Sequence, residues 1–130
     1  MHTVIRCVRL FTGDDQQSHI QVGRLDLTPG RNDDLVSSAM TSAHVTAEET
    51  ATGGTLAWHT APVRQLVVTL AGTLEFTTRD GERFTLAPGD VLLAEDTVGS
   101  GHQWRLVDEH PWRRMYIVLA DGAEVPFLAD

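Results

Sequence analysis

Gly53–Gly72, GGTLAWHTAPVRQLVVTLAG, and the segment that answers it, Pro88–Trp104, PGDVLLAEDTVGSGHQW, decide the fold. In the first, Thr55–Thr60 alternates. Leu56, Trp58 and Thr60 take one face and Thr55, Ala57 and His59 the other, the two-residue period of a strand. Gln65–Ala71 is a β-branched and apolar run stopped by Gly72. The second segment opens on a Pro88-Gly89-Asp90 turn, runs through a strand at Val91–Ala94, and crosses a loop at Glu95–Gly101. It then starts a strand over His102–Val107, with Trp104 on the face of His102. Between the two segments, Thr73–Thr78 and Arg83–Leu86 flank Asp80-Gly81, a strong hairpin signal.

Working outward, strands are predicted at Thr3–Phe11, Ser18–Leu27 and Leu35–Met40, separated by Gly- and Pro-containing turns. Ala43–Thr50 would tolerate a helix, but Val45 and Thr46 after a Ser/Thr cluster favour a strand. Trp112–Leu119 is a last long strand, and the tail Asp121–Asp130 reads as surface. Short strands at this spacing, with no long helix and no repeat, predict an all-β sandwich or barrel.

Composition narrows the function. In 130 residues, long enough for one domain with one core, 10 Lys and Arg face 18 Asp and Glu, a formal net charge of −8. Nucleic acid and anionic membrane surfaces need clustered basic charge and are not expected partners. A single Cys, Cys7, rules out an internal disulfide framework and a Cys-rich zinc site, and it reads as a buried filler. Arg6 and Arg9 interrupt the N-terminal apolar run, which is therefore no signal peptide. No apolar run approaches the roughly 20 residues of a membrane helix, so the expected location is the cytoplasm.

The spacing Gly53-x5-His59-x-Ala61-x3-Gln65-x6-Gly72 resembles the first motif of the cupin superfamily, and Pro88-Gly89-Asp90 followed by His102 resembles the second. The two motifs and the segment between them span about fifty residues. His-x-Ala-Pro-x-Arg-Gln with Leu-x-Glu-Asp-x-x-Gly-x-Gly-His is similar to a subgroup of small bacterial cupins that also carry a Ser-His pair near the N-terminus, here Ser18-His19. The resemblance implies a single cupin jelly-roll β-barrel or sandwich. Its barrel core would lie at about 35–120, with the N-terminal strands, 3–27, packing on it or on a partner subunit in a homodimer. It also implies a site inside the barrel, where the family's second metal-binding His falls on Ala61 and its Glu on Gln65. Of the family's usual ligands, His59 and His102 remain.

Two chemistries stay open for that site. In the first, His59, His102 and Gln65 hold one divalent ion, Zn, Fe or Ni. An ion site needs three or four protein ligands, so His19 is recruited, or failing that Glu95 or Asp96, in an oxygenase-like cupin. In the second there is no metal. Two imidazoles that titrate near neutrality act as acid and base on a small organic molecule, with Gln65 as donor and acceptor, in an isomerase, cyclase or dehydratase. Trp104 shares the face of His102 and is expected to wall the ligand, with Glu95, Asp96 and His19 as further contacts; Trp58 points the other way. A ligand-binding or sensor domain without catalysis is the third reading.

The plainer readings stand beside these. A histidine in a strand is commonly a hydrogen-bonded structural residue, and Gln65 can simply satisfy backbone groups. Arg64 and Arg105 read as outward partners of acidic neighbours, Glu95 and Asp96 as solvated loop residues. Trp112 and Tyr116 read as core or subunit interface, and His2, His44 and His110 as surface.

Overall fold

Residues 4–130 are described by the computed structural model. Met1, His2 and Thr3 lie outside the described residues, and with them the start of the strand predicted at Thr3 and the surface assignment of His2. Thirteen strands and one 3₁₀ turn, Arg31–Asp33, make up the described chain, which contains no α-helix and no helix long and apolar enough to cross a membrane.

A seven-stranded sheet runs in the order β13 (Phe127–Ala129), β2 (Ser18–Leu25), β1 (Arg6–Thr12), β10 (Val91–Glu95), β7 (Gln65–Ala71), β12 (Trp112–Leu119), β5 (Ser42–Thr50). Its pairings are antiparallel except β1 with β10, which is parallel. A four-stranded sheet runs β6 (Thr55–His59), β11 (His102–Leu106), β8 (Leu74–Thr78), β9 (Arg83–Leu86). A small separate hairpin joins β3 (Thr28–Pro29) to β4 (Leu35–Val36). The end strands of neither large sheet meet, so no sheet closes on itself. The architecture is two packed open sheets rather than a closed barrel.

Alternation along the strands builds two apolar layers from the same sheet. Val8, Leu10, Val67, Leu92 and Trp112 face the smaller sheet and meet Leu74, Phe76, Phe84, Leu86, Trp104 and Leu106. Phe76 stacks on Phe84 with centroids 4.8 Å apart, and Trp104 meets Trp112 edge-on, also at 4.8 Å, both favoured aromatic geometries. The intervening residues, Cys7, Leu66, Val91 and Leu93, form a second cluster on the other face. Cys7 is fully buried there, and burial pushes its thiol up to about 12, which makes it an inert filler.

The tail lies at the surface as read, with none of residues 121–130 buried, but it is ordered. Ala123, Val125 and Phe127 pack against the second cluster, and β13, which the sequence reading did not include, joins the sheet edge. The strand predicted at Leu35–Met40 shrinks to Leu35–Val36, since Leu35, Val36, Ala39 and Met40 have no alternating face to bury. Ala43–Thr50 is a strand, not a helix, paired along β12. The N-terminal strands pair into the large sheet of their own chain. β1 has β2 on one side and β10 on the other, so it offers a partner subunit no free edge.

Glu95 ends β10 on the face turned from the smaller sheet, where it accepts from Arg9 Nε at 2.5 Å and from Arg64 Nε. Burial alone would push its carboxyl up. The hydrogen bonds and charges of the two arginines outweigh burial and leave it below its ordinary 4.5. A depressed folded pKa contributes stability above the unfolded value, and that contribution disappears as pH falls through the folded one. Glu95→Gln is therefore expected to cost about 1–3 kcal/mol at pH 7 in urea unfolding and to flatten the loss of stability below pH 4.5. An unchanged acid limb would show that the two arginines are solvated instead.

Candidate active site

β6 and β11 lie side by side in the small sheet, with His59 directly opposite His102. Regular pairing would then set Trp104 against Ala57, but Trp104 pairs with Leu56, so β6 carries one extra residue. That bulge breaks the strict alternation predicted for Thr55–Thr60 and turns Leu56 and His59 toward the same cavity. It also leaves the Ala57 carbonyl facing His59, whose Nδ1 donates to it at 2.7 Å.

The crossing is close because Gly101 permits it. Its φ is +76°, a left-handed conformation, and a Cβ there would lie 2.3 Å from the carbonyl oxygen of His59. With no side chain in the way, the rings of His59 and His102 come to 4.4 Å between centroids, inclined at 60°. Asp96, from the loop ahead of β11, stands behind His102. Its Oδ2 accepts from His102 Nδ1 at 2.5 Å and from Ser18 Oγ at 2.6 Å, and its backbone oxygen accepts from Ala61 N at 3.0 Å. Asp96 is fully buried, and its Oδ1 has no hydrogen-bond partner among the described residues. A structural carboxylate is normally satisfied on both oxygens, so this one is set up unusually.

The pair opens into a cavity of about 480 Å³ between the two sheets, within the range of small-molecule sites. Gln65 and Ala61 line it, as do Val67, Leu92 and Ala94 from the large sheet and Phe76 and Trp104 from the small one. The remaining wall is the inward face of β12, with Trp112, Arg114, Tyr116 and Val118, and the rim is His44, Thr46 and Glu48 of β5.

Of the residues expected at the site, the fold brings His59, His102, Gln65 and Trp104 into this one cavity, with Ala61 leaving room beside His59. It does not bring in three others. Glu95 faces the opposite side of the sheet and is held by Arg9 and Arg64. Asp96 is a buried support of His102 and not a mouth residue. His19 alternates outward from Ser18 and binds Asp15, its Nε2 2.9 Å from the carboxylate. That hydrogen bond, partly offset by desolvation, raises His19 above its ordinary 6.5. His19 gathers with Asp80 and Glu82 in a compact, mostly exposed group away from the cavity. In the Ser18-His19 pair it is the serine that reaches the site. Trp58 stacks under the guanidinium of Arg79 at 4.0 Å, outside the cavity, and His44, read as surface, sits exposed on its rim.

The donors suit a divalent ion only in part. His59 and His102 each have Nδ1 anchored on an acceptor, which orients the ring as in metal-ligating histidines. Among the described residues, however, no third His, Cys, Asp or Glu joins them in a group compact enough to share an ion. Two imidazoles and the neutral amide of Gln65 fall short of a Zn, Fe or Ni set.

Arg114 carried a readable signal that was missed. It is an arginine at an inward position of a strand whose other inward residues are Trp112, Tyr116 and Val118. Asp96 and Ser18 both stood in the strings that carry the cupin resemblance, but their pairing had no signal, because only the fold brings β2 to the loop before β11. No protein-family profile and no curated protein matches this chain.

The close crossing is testable with two glycines. Gly122 has a φ of +71° and open space at its Cβ, so Gly122→Ala is expected to cost only the left-handed backbone penalty, about 1 kcal/mol. Gly101→Ala adds the collision with His59 and is expected to cost about 3 kcal/mol or more in thermal unfolding. Equal costs for the two would mean that β6 and the loop separate freely.

Proposed function

We propose that the protein is a small-molecule enzyme of the isomerase, cyclase or dehydratase type, built on a cupin-like jelly roll, which moves protons between His59, His102 and a ligand in the cavity. The observation that carries the reading is the Asp96–His102 hydrogen bond beside His59. A carbonyl oxygen can only accept, so His59 carries its proton on Nδ1 in the neutral ring and keeps a lone pair on Nε2. Burial, the largest effect, pulls His59 below its ordinary 6.5. The hydrogen bond to Ala57 opposes this and the neighbouring His102 adds to it. At pH 7 His59 is a neutral base.

Asp96 holds His102 by its Nδ1 and so fixes the orientation of the ring toward the cavity, the positioning role of the aspartate in a Ser-His-Asp triad. In the proposed cycle His59 Nε2 takes a proton from a carbon next to an electron-withdrawing group. With Nδ1–H kept on Asp96, His102 enters this cycle as the imidazolium. It gives its Nε2 proton to the oxygen or carbon where charge develops and is left as the neutral Nδ1–H ring, while Gln65 offers its amide to the same oxygen. Solvent exchange resets the two rings. A purely ligand-binding or sensor role is the weaker reading, because it gives no reason to bury Asp96 with one oxygen unsatisfied. A cytoplasmic homodimer completes the proposal. β5 is exposed along its length and, among the described residues, ends the sheet without a partner on its outer edge, an arrangement that invites pairing with a second copy. A monomer in sedimentation at micromolar concentration would remove that part.

Ring opening of 5-nitrobenzisoxazole, a neutral probe that reports a base in an apolar pocket, tests the chemistry without knowledge of the natural substrate. The wild-type rate is expected to rise with pH through a value below 6.5, the direction set by burial of His59. His59→Gln is expected to lower the rate by about 10²-fold or more, and dialysis against EDTA to leave it unchanged. Wild-type rates in His59→Gln, or a rate abolished by EDTA and restored by Zn²⁺, Fe²⁺ or Ni²⁺, would contradict the reading.

A further inference from the structure

Among the described residues, Arg114 is the only Lys or Arg side chain on the cavity wall. It is 4 % exposed, yet the one carboxylate it meets, Glu48, is 56 % exposed at the rim. The guanidinium offers five N–H groups. Nη1 donates to Thr50 Oγ1 at 2.7 Å and to the Trp112 carbonyl at 3.1 Å, and Nε donates to Tyr116 Oη at 3.2 Å. Those three bonds fix the group, and the one to Thr50 ties β12 to β5. Nη2 spends one N–H on Glu48 at 3.0 Å and has the other left over. A buried cation whose only counter-charge is a solvated rim side chain is expensive to maintain for structure alone.

The surroundings are graded. The guanidinium lies 3.8 Å above the Trp112 ring, Trp112 meets Trp104 edge-on, and Phe76 bridges Trp112 to His102 at 6.4 and 5.8 Å between centroids. A fixed cation thus stands at one end of the cavity and the imidazole pair at the other, with aromatic walls between them.

We infer that the cavity takes a small carboxylate with a flat apolar or aromatic body. Arg114 anchors its carboxylate through Nη2, and Glu48 is the stand-in that the ligand displaces. This names the substrate class for the acid/base site and rests on that reading for its purpose. The anchored carboxylate would hold the molecule with its far end between His59 and His102. A guanidinium fork suits this task because it binds a carboxylate in a fixed plane.

Calorimetry at low salt with benzoate and cinnamate, each against its primary amide, tests the inference without turnover. Both acids are expected to bind about tenfold or more tighter than their amides. Arg114→Met is expected to erase that preference. Glu48→Gln, a change at an exposed rim position that keeps the fold testable if Arg114→Met does not fold, is expected to tighten the acids by about threefold or more and leave the amides unchanged. Equal binding of acid and amide, no binding of either acid, or a Glu48→Gln that fails to tighten the acids would overturn the inference. If the acids bind as expected while wild-type protein fails to open 5-nitrobenzisoxazole, the acid/base reading falls and the carboxylate site stands.

Discussion

The buried carboxylate of Asp96 is the constraint on which the site depends. Through Oδ2 and its backbone oxygen it joins β2 at Ser18, the start of β11 at His102 and the segment after β6 at Ala61. These three pieces are far apart in sequence and come from both sheets. A carboxyl group removed from water has to be matched by hydrogen-bond partners, and here the partners are the groups that set the geometry of the site. The hydrogen bond that compensates the burial of Asp96 therefore also aims His102.

Gly101 provides the second half of that arrangement. Asp96 sets the direction of His102, and the missing Cβ one residue earlier lets β11 approach the carbonyl of His59 closely enough for the rings to meet. The β6 bulge turns His59 to the same side as Leu56. Each device is small. Together they put two imidazoles with unlike surroundings at one end of a walled cavity, one depressed by burial and the other backed by a carboxylate. Unlike surroundings are what divide acid from base among chemically identical groups.

Much of this was legible in the sequence. Gln65–Ala71, Arg83–Leu86 and Trp112–Leu119 are strands with the predicted bounds, because β-branched runs between turn residues leave little choice. The convergence of His59, Gln65 and His102 in one cavity is what the resemblance to the two cupin motifs implied. The placement of Glu95 was not, since the parity of one strand decides whether its last residue faces ligand or Arg9 and Arg64. The partnership of Ser18 with Asp96 spans the whole chain order and has no local signature. The tail is at the surface as read, but its strand was not legible, because Ala123, Val125 and Phe127 are too sparse to predict one, yet they find an uncovered apolar face. Arg114 was legible in principle from its inward position on β12.

The most direct measurement is a long-range ¹H–¹⁵N NMR titration of the imidazole rings across pH 5 to 8, which reads proton position on each nitrogen. The expected result is a neutral His59 at pH 7 with its proton on Nδ1 and an unprotonated Nε2, titrating below 6.5. Asp96→Asn is expected to perturb the Nδ1 signal of His102 while leaving the tautomer of His59 intact. A His59 that carries its proton on Nε2, or that titrates above 6.5, would contradict the assignment of His59 as the base.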